Sequence, residues 1–578
     1  MWILTECTNY QIRDSVEPNL FDANHMKRTL KLSLAALVVA SLMLTGCGRK
    51  VDLGQHASNE GLMPEAFIPA EVGLFTSYSL RDADQYAAIQ AIETKLGEEG
   101  QFSELFAQQL DAQYGAEEIT YEDDILPALG EQFRVVFGSR PATEDVDAFT
   151  VVTLEDPDKM EDVFEVLASQ ELVESKKLSS NSAFVNEEND FYAAIHKDLL
   201  FVANRPEGLV EMLDLKEEAS LWESDTFQDI MQDVGSNYVF FGGLFPELMG
   251  DDLDLPAGFG VSEIPDVITQ QSIVVRAEET GFRFDAYMVA DKDAAKDSDI
   301  SFDIVPKSEP YLHGVVPAEG LMAYLESYGL EQTFVQAENL GDSGGGVDQI
   351  DALIQNYFSM DFQEEILSFM DQGFVFSLHQ NGNGVVPGLT IMFDVSSDPS
   401  NAAVFLAKLD GQLSGMQVLL DQSLPGAITR TDADVMGDEL TKIEIDLTTI
   451  PSEEHGPLPT VVTESEIQLV YGIVDETYMI ISTASVWEEE GLESIEESDL
   501  YLTLQEELGD IDQGLLLVSP EGVADFLVSV TSLRDQLGLA NGAEMDNMID
   551  LLGGFEGLIA ASKTEAFESH FAGYLMLK

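Results

Sequence analysis

Residues 149–169 read FTVVTLEDPDKMEDVFEVLAS, an apolar strand pattern that runs into an Asp-Pro pair and then into a helical pattern. Aspartate is typical of a helix cap and proline of the first helical turn. Residues 398–409, DPSNAAVFLAKL, repeat this pattern. Each stretch predicts a helix with one buried face, because apolar residues recur at i, i+3, i+4 and i+7: Met160, Val163, Phe164 and Leu167 in the first stretch, and Ala402, Phe405, Leu406 and Leu409 in the second.

Other matched segments extend this repeat along the chain, and such repeats decide domain organisation. PAE at 69–71 matches 317–319, and DDIL at 123–126 matches EEIL at 364–367. FDAYM at 284–288 matches FAGYL at 571–575. We therefore predict two homologous tandem units, residues 63–291 and 310–578, joined by a charged linker over 292–309 that contains Pro306.

The fold class follows from the order of patterns within a unit. Strand patterns occur at 134–137, 149–154, 191–195 and 199–203, and helix patterns begin after Asp156 and at Asp225. Short strand pairs separated by turns favour an α+β fold whose sheet is largely antiparallel, with packed helices. Phe227 and Ile230, in the helix that begins at Asp225, are interpreted as core residues.

The motifs together resemble a known bacterial family. An opening Pro-Ala-Glu, the acidic DILPALG of residues 124–130, a strand followed by Asp-Pro and a helix, and an Asp-x-Phe helix start are similar to domain of unknown function 3352. The resemblance covers most of the chain in two copies, although Ser368 and Phe369 replace Pro127 and Ala128 in the second copy. It implies an envelope-associated protein and supplies no catalytic residues.

The N-terminal region has the pattern of an export signal. Lys27, Arg28 and Lys31 precede an uncharged apolar run over 32–44, which is too short for a permanent membrane helix. Leu44, Thr45, Gly46 and Cys47 resemble the bacterial lipobox, in which the cysteine is diacylated before cleavage. We therefore expect a signal peptide over 26–46, a lipidated Cys47, and a tether over 47–62.

Residues 1–25 are interpreted as a mis-assigned upstream start. They carry four acidic residues, which is unusual ahead of an export signal, so Met26 is the preferred initiator. The expected protein is exported and anchored to a bacterial membrane by its acyl chains. Gly48 after the cysteine resembles the signal for outer-membrane delivery where a cell has an outer membrane; otherwise the protein belongs on the outer face of the cytoplasmic membrane.

The composition is strongly acidic, with 107 Asp and Glu against 27 Lys and Arg and a net charge of −80. Because hydrophobic residues make up 45% of the chain, the acids must coat folded domains rather than form a disordered tail. Such a surface repels nucleic acid, so no nucleic-acid partner is expected. It also indicates a halophilic adaptation or a need for cations, since salt screens the self-repulsion.

One short segment resembles a catalytic motif. Residues 341–345, GDSGG, resemble the nucleophile loop of trypsin-like serine proteases, with Ser343 in the place of the nucleophile and His196 on a strand upstream. Val474 occupies the position of His196 in the second unit, which indicates a strand site that tolerates an apolar residue. We therefore interpret 341–345 as a surface loop, and predict no catalytic residue, no cofactor and no enzyme activity.

Metal sites have a similarly limited signal. The histidines are isolated, which argues against zinc. Asp251, Asp252 and Asp254 are weak calcium candidates because hard oxygen ligands suit this ion. Two further acidic groups were considered and are better explained as solvated loops, namely residues 291–299 and the Asp432–Gly437 segment.

Three functional hypotheses follow. The preferred one is a noncatalytic envelope lipoprotein that acts as a binding or scaffold protein for another protein or for the cell wall. The first alternative is a carrier of a lipidic or other apolar ligand, because the chain holds 32 Phe and 16 Tyr that could line a cavity. The second alternative is a hydrolase, which the lack of a convergent catalytic constellation in the sequence disfavours.

Overall fold

A computed structural model of the chain describes most of the residues between Met63 and Lys578. The described residues are 63–95, 124–130, 132–141, 146–178, 181–234, 237–248, 267–297, 312–329, 354–355, 360–367, 369, 372–381, 385–423, 425–446, 467–488, 491–508, 514–536, 549, 552–565 and 568–578.

Strands make up most of this framework. They are β1 Leu74–Ser79, β2 Arg134–Pro141, β3 Val146–Thr153, β4 Glu174–Leu178, β5 Asn181–Asn186, β6 Phe191–His196, β7 Leu199–Ala203, β8 Phe240–Leu244, β9 Ile268–Glu278, β10 Gly281–Ala290, β11 Leu321–Ser327, β12 Phe374–His379, β13 Gly388–Asp394, β14 Ile428–Val435, β15 Asp438–Ile445, β16 Gln468–Val474, β17 Tyr478–Ser482, β18 Gly514–Val518, β19 Phe555–Glu565 and β20 Glu568–Leu577.

Helices lie between these strands. They are α1 Ala83–Lys95, α2 Leu126–Leu129, α3 Pro157–Ser169, α4 Pro206–Asp214, α5 Asp225–Val234, α6 Lys292–Asp297, α7 Pro399–Ser423, α8 Asp499–Leu508 and α9 Pro520–Gln536. Short 3-10 turns occur at Pro64–Phe67, Leu312–Gly314, Ser485–Glu488 and Ile495–Glu497, among others. The α+β prediction is confirmed, as are the four predicted strands and the predicted helix starts.

All twenty described strands belong to one sheet, and every pairing in it is antiparallel. From one edge the first half runs β4-β5-β6-β7-β3-β2-β1-β8-β9-β10. From the other edge the second half runs β14-β15-β16-β17-β13-β12-β11-β18-β19-β20. The strand order is therefore the same in both halves.

The two halves meet where β10 pairs with β20. In this seam Asp285 lies opposite Ala572, and these two residues hold the same position in the matched segments FDAYM and FAGYL. An antiparallel pair of matched strands has a local two-fold axis, and this pair lies on it, with Phe284 opposite Gly573 and Ala286 opposite Phe571 on either side.

One buried carboxylate joins both sides of this seam. Asp285 is 2% exposed and accepts hydrogen bonds from Arg276 Nη1 at 2.5 Å, Arg283 Nε at 3.1 Å and His570 Nε2 at 3.0 Å. The His570 ring also stacks on Tyr287, with 4.4 Å between centroids. Burial raises the Asp285 pKa, but the hydrogen bonds from His570 and Arg283 and the charges of the two arginines outweigh it and lower the pKa to about 2.

Helices cover both faces of the sheet. In the first half, α5 buries Phe227 and Ile230 in one cluster with Val151, while α3 packs with Val152 in another. Neighbouring strand residues point to opposite faces, so one strand serves both clusters. In the second half, α8 and α7 divide the faces in the same way. The interpretation of Phe227 and Ile230 as core residues is confirmed, since they are 0% and 2% exposed.

The Asp-Pro pairs cap their helices as predicted. Asp156 Oδ1 accepts the Lys159 amide at 3.0 Å, and Asp398 Oδ1 accepts the Asn401 amide at 3.1 Å. The helices differ in length, because α3 has 13 residues and α7 has 25. Within the predicted linker, residues Lys292–Asp297 form α6, whose first turn is capped by Asp291, so this part of the acidic series 291–299 is a helix and not a loop. Residues 298–309 lie outside the described chain.

Candidate functional site

The sequence candidates fall mostly outside the described residues. Cys47, the lipobox residues Leu44, Thr45 and Gly46, the calcium candidates Asp251, Asp252 and Asp254, and Ser343 all lie in undescribed segments. His196 ends β6 with an exposed side chain, whereas Val474 ends β16 and is buried. Within the described residues, no group of three or more His, Cys, Asp or Glu side chains is arranged to hold a metal ion.

The structure instead brings together a groove in the second half that the sequence did not indicate. This hairpin groove has a volume of about 1070 Å³ and separates the β14–β15 turn from the segment that leads into α8. Its size is at the upper end of the range for sites that hold drug-sized ligands. Its lining residues are His313, Gly314, Val315, Pro317, Asp434, Met436, Gly437, Val486, Trp487, Gly491, Leu492, Ser494, Glu496, Glu497, Tyr501, Leu502 and Gln505.

One wall of the hairpin groove is the two-residue turn between β14 and β15. Met436 and Gly437 both have positive φ, 56° and 95°, as a tight hairpin turn requires. Asp434 Oδ1 accepts the Gly437 amide at 3.0 Å and fixes the turn. The acidic segment 432–437 is therefore a strand end and a hairpin, and the turn holds the Met436 side chain 51% exposed at the rim.

The opposite wall is the 3-10 turn Ile495–Glu497 followed by α8. Ser494 and Glu497 form a capping box, in which Glu497 Oε2 accepts the Ser494 amide at 3.3 Å. Ile495 donates its amide to the Val316 carbonyl and anchors the turn to the start of the second half. Leu502 on α8 also lines the groove and is 48% exposed, as Met436 is about half-exposed in the β14–β15 turn.

Buried side chains below the rim give the hairpin groove a firm base. Trp487 is 4% exposed, and its indole N–H donates to Thr390 Oγ1 at 2.9 Å. Tyr501 is 3% exposed, and its ring packs against the His313 ring at 5.1 Å between centroids. These two aromatic side chains are almost fully packed, so they make the base of the groove rigid while exposing little surface themselves.

A buried carboxylate next to this base accepts hydrogen bonds from the polar groups around it. Glu326, 1% exposed, accepts hydrogen bonds from His313 Nδ1 at 2.6 Å, from the Tyr324 hydroxyl at 2.8 Å and from the Leu312 amide at 3.2 Å. Burial, with the Glu326 charge as a second cause, raises the pKa of Tyr324 well above its ordinary value. The network holds His313 in place, and His313 Nε2 lies 3.2 Å from the Tyr501 hydroxyl in the groove.

The electrostatics of the hairpin groove are negative. Three carboxylates line it, from Asp434, Glu496 and Glu497, and its described lining includes no Lys or Arg. Gly314 gives one of them room, because a Cβ there would lie 2.7 Å from Glu496 Oε2. Apolar side chains and carboxylates thus share one concave surface.

The first half also contains a polar network, at the position that matches the Glu326 network of the second half, but here the carboxylate pairs with an arginine. Glu65, 0% exposed, pairs with Arg134, and Arg134 also donates to the Tyr238 hydroxyl. Burial lowers the pKa of Arg134, but Glu65 and Tyr238 reverse this and raise it overall. Ser77 Oγ lies 3.0 Å from the Tyr238 hydroxyl and completes the network. Glu65, Ser77 and Tyr238 are buried and Arg134 is only 12% exposed, so the network stabilises the first half rather than presenting a site.

A Ser-His pair in the second half is also structural. His379 Nδ1 donates to the Glu319 carbonyl at 3.1 Å, so the Ser377 hydroxyl donates to Nε2 at 2.9 Å. Burial lowers the pKa of His379 to about 4 despite the backbone hydrogen bond. Both side chains are 0% exposed, which leaves Ser377 out of reach of a substrate.

Comparison with known proteins places the chain in a family. The family model described as protein of unknown function (DUF3352) matches residues 31–423, more than half of the chain. The chain belongs to this family. The family description assigns no activity to DUF3352 proteins. The matched range 31–423 includes the predicted linker at 292–309.

Other comparisons add little to this. None of the curated proteins matches the chain. Two solved structures, crystal forms IV and I of TP0453, align at 10% and 8% identity with a TM-score of 0.23 each. The alignments cover 40% of this chain and 81% and 80% of those chains. In the described part of the DUF3352 chain, no helix is long and apolar enough to cross a bilayer.

Sequence reasoning missed the hairpin groove for a definable reason. Its walls come from residues 313–317, 434–437 and 486–505, which meet through pairing between distant strands. The two-residue turn at Met436 and Gly437 is a local hairpin signal, but the acidic residues around it resemble a cation-binding loop in the sequence.

Proposed function

We propose that this DUF3352 protein is a noncatalytic binding protein of the bacterial cell envelope and that the hairpin groove is its binding site. The groove carries the proposal because it joins exposed apolar side chains, Met436 and Leu502, to a rigid buried base. Exposed apolar surface around a concave site is typical of recognition.

The proposed location rests on the N-terminal sequence. A basic cluster, an apolar run over 32–44 and the Leu44-Thr45-Gly46-Cys47 stretch support export and lipidation of Cys47. Two acyl chains anchor a protein stably where one does not. Cells fed labelled palmitate should incorporate the label into the protein found in the membrane fraction. Cys47→Ser should carry no label, whereas the matched control Cys7→Ser should be labelled like the unchanged protein. Equal labelling of Cys47→Ser would refute the anchor.

The proposed binding role can be tested by crosslinking in the native host. A photoreactive residue placed at Leu502 should form adducts, while the same residue at Val528, which is 52% exposed on α9 and outside the groove, should not. Adducts with protein or wall material support the binding role. Adducts with lipid would favour the carrier alternative, and equal yields at Leu502 and Val528 would refute the groove as a site.

We also infer that the two halves descend from one duplicated unit. The identical strand order on both sides of the seam supports this, as do the bridges Pro69–Ser220 and Pro317–Ser494, which tie the PAE segments to matching positions. An alignment of related sequences in which single-unit chains match both halves would test it. Relatives that match each half to unrelated families would refute it.

A further inference from the structure

The charges around the hairpin groove narrow the class of its ligand. Asp434 and Glu497 each use one carboxylate oxygen to fix the local backbone, and Glu496 lies against the Gly314 turn. The position of these charges is therefore set by the fold. Since the described lining has three carboxylates and no Lys or Arg, it would repel a ligand with an anionic group.

The apolar residues set the second requirement. Met436 in the β14–β15 turn and Leu502 on α8 are half-exposed residues of the groove lining, and Trp487 and Tyr501 are buried residues of the same lining. A ligand that covers the two exposed side chains must bring apolar groups of its own. The groove therefore fits a ligand that carries both cationic and apolar groups.

The open rim distinguishes a protein segment from a small molecule. Small-ligand sites bury most of the surface of their ligand. The hairpin groove holds about 1070 Å³ and includes the half-exposed Met436 and Leu502, so a small amphiphile would fill only part of it and leave apolar side chains in water. A segment of a larger partner would place the rest of the partner over the rim and exclude this water.

We propose that the hairpin groove binds a segment of a partner protein in which Lys or Arg residues stand beside large apolar side chains. The apolar side chains contact Met436, Leu502 and Trp487, and the basic groups pair with Glu496 and its neighbouring carboxylates. This inference rests on the proposed binding role of the groove and adds the chemistry of the partner.

Defined peptides test this recognition by fluorescence anisotropy with the full chain. The probe is a labelled decapeptide of alternating Lys and Leu, and its matched controls replace Lys by Glu or Leu by Ser. The Lys-Leu peptide should bind at least tenfold more tightly than either control in buffer with physiological salt. Equal binding of the Glu-Leu peptide would overturn the proposal.

Matched variants separate the groove from the acidic surface as a whole. Glu496→Lys and Glu161→Lys change the net charge equally, but Glu161 lies exposed on α3, in the other half. Glu496→Lys should lower the affinity for the Lys-Leu peptide at least tenfold, and Glu161→Lys should lower it less than twofold. Leu502→Ser should weaken it about fivefold, whereas Val528→Ser should leave it unchanged. Equal effects of Glu496→Lys and Glu161→Lys would overturn the proposal.

The two proposals fail in different ways. If crosslinking from Leu502 captures a partner but Glu496→Lys and Glu161→Lys behave alike, the groove is a binding site and the cationic class is wrong. Glu496→Gln provides a milder variant at this exposed position, so loss of folding does not obscure the result. A fold intact by circular dichroism with unchanged peptide affinity in Glu496→Gln and Glu496→Lys contradicts the cationic inference alone.

Discussion

Replacing Asp285 by asparagine should weaken the seam between the two halves. The substitution keeps the size of the side chain but removes the negative charge that pairs with Arg276, Arg283 and His570. Two arginines then lose their shared partner in a place where the carboxylate is 2% exposed. Removing one member of a buried charged cluster is costly because the others remain desolvated.

The magnitude follows from the pKa of Asp285. The fall from the ordinary value of 3.8 to about 2 corresponds to about 2 kcal/mol, since each pKa unit is worth about 1.4 kcal/mol. A lowered folded-state pKa stabilises the protein above the unfolded-state value, and this stability is lost as pH falls from about 4 toward 2. The cost of Asp285→Asn should therefore be at least about 2 kcal/mol at pH 6 and under about 1 kcal/mol at pH 2.

Urea unfolding followed by circular dichroism at both pH values measures this difference. Asp162→Asn, at an exposed position on α3, provides the control for general charge effects at low pH. We expect Asp162→Asn to change stability by less than about 0.5 kcal/mol at either pH. A cost for Asp285→Asn that stays constant from pH 6 to pH 2 would refute the assigned role of the carboxylate.

Further predictions concern the core, the charge and one histidine. Arg134→Met should lower the unfolding free energy by about 3–5 kcal/mol, because Glu65 stays buried without its cation, and a loss under about 1 kcal/mol would contradict this. Phe227→Ala should cost about 3–5 kcal/mol in urea unfolding, whereas half-exposed Leu502→Ala should cost less than about 0.5 kcal/mol. Molar sodium chloride should raise the urea midpoint above that in dilute buffer by screening the charge of −80, and equal midpoints would exclude self-repulsion as a factor. His379 should titrate near pH 4 by NMR, and stability should fall as pH drops from 6.5 to 4; a midpoint near 6.5 would contradict its burial.

Local patterns predicted the elements of the fold well. The Asp-Pro pairs marked the starts of α3 and α7, because capping and proline geometry act within a few residues. Short runs rich in apolar and β-branched residues marked β3 and β7, because this signal also lies within a few residues. These signals need no knowledge of distant contacts.

Assembly across long distances could not be read in the same way. FDAYM and FAGYL are recognisable in the sequence as similar strands, but nothing in either segment predicts that the two strands pair with each other. The hairpin groove depends on His313 and Tyr501 meeting through a buried network centred on Glu326. Such contacts follow from strand order, which local periodicity does not encode.

The seam also sets the order in which the sheet can be completed during synthesis. β20 is made after the other nineteen described strands, yet it lies in the middle of the sheet between β10 and β19. Until it arrives, both neighbours expose unpaired backbone edges, which favour pairing with other chains. A net charge of −80 makes chains repel one another, so the charge that weakens the folded state also opposes pairing between unfinished chains.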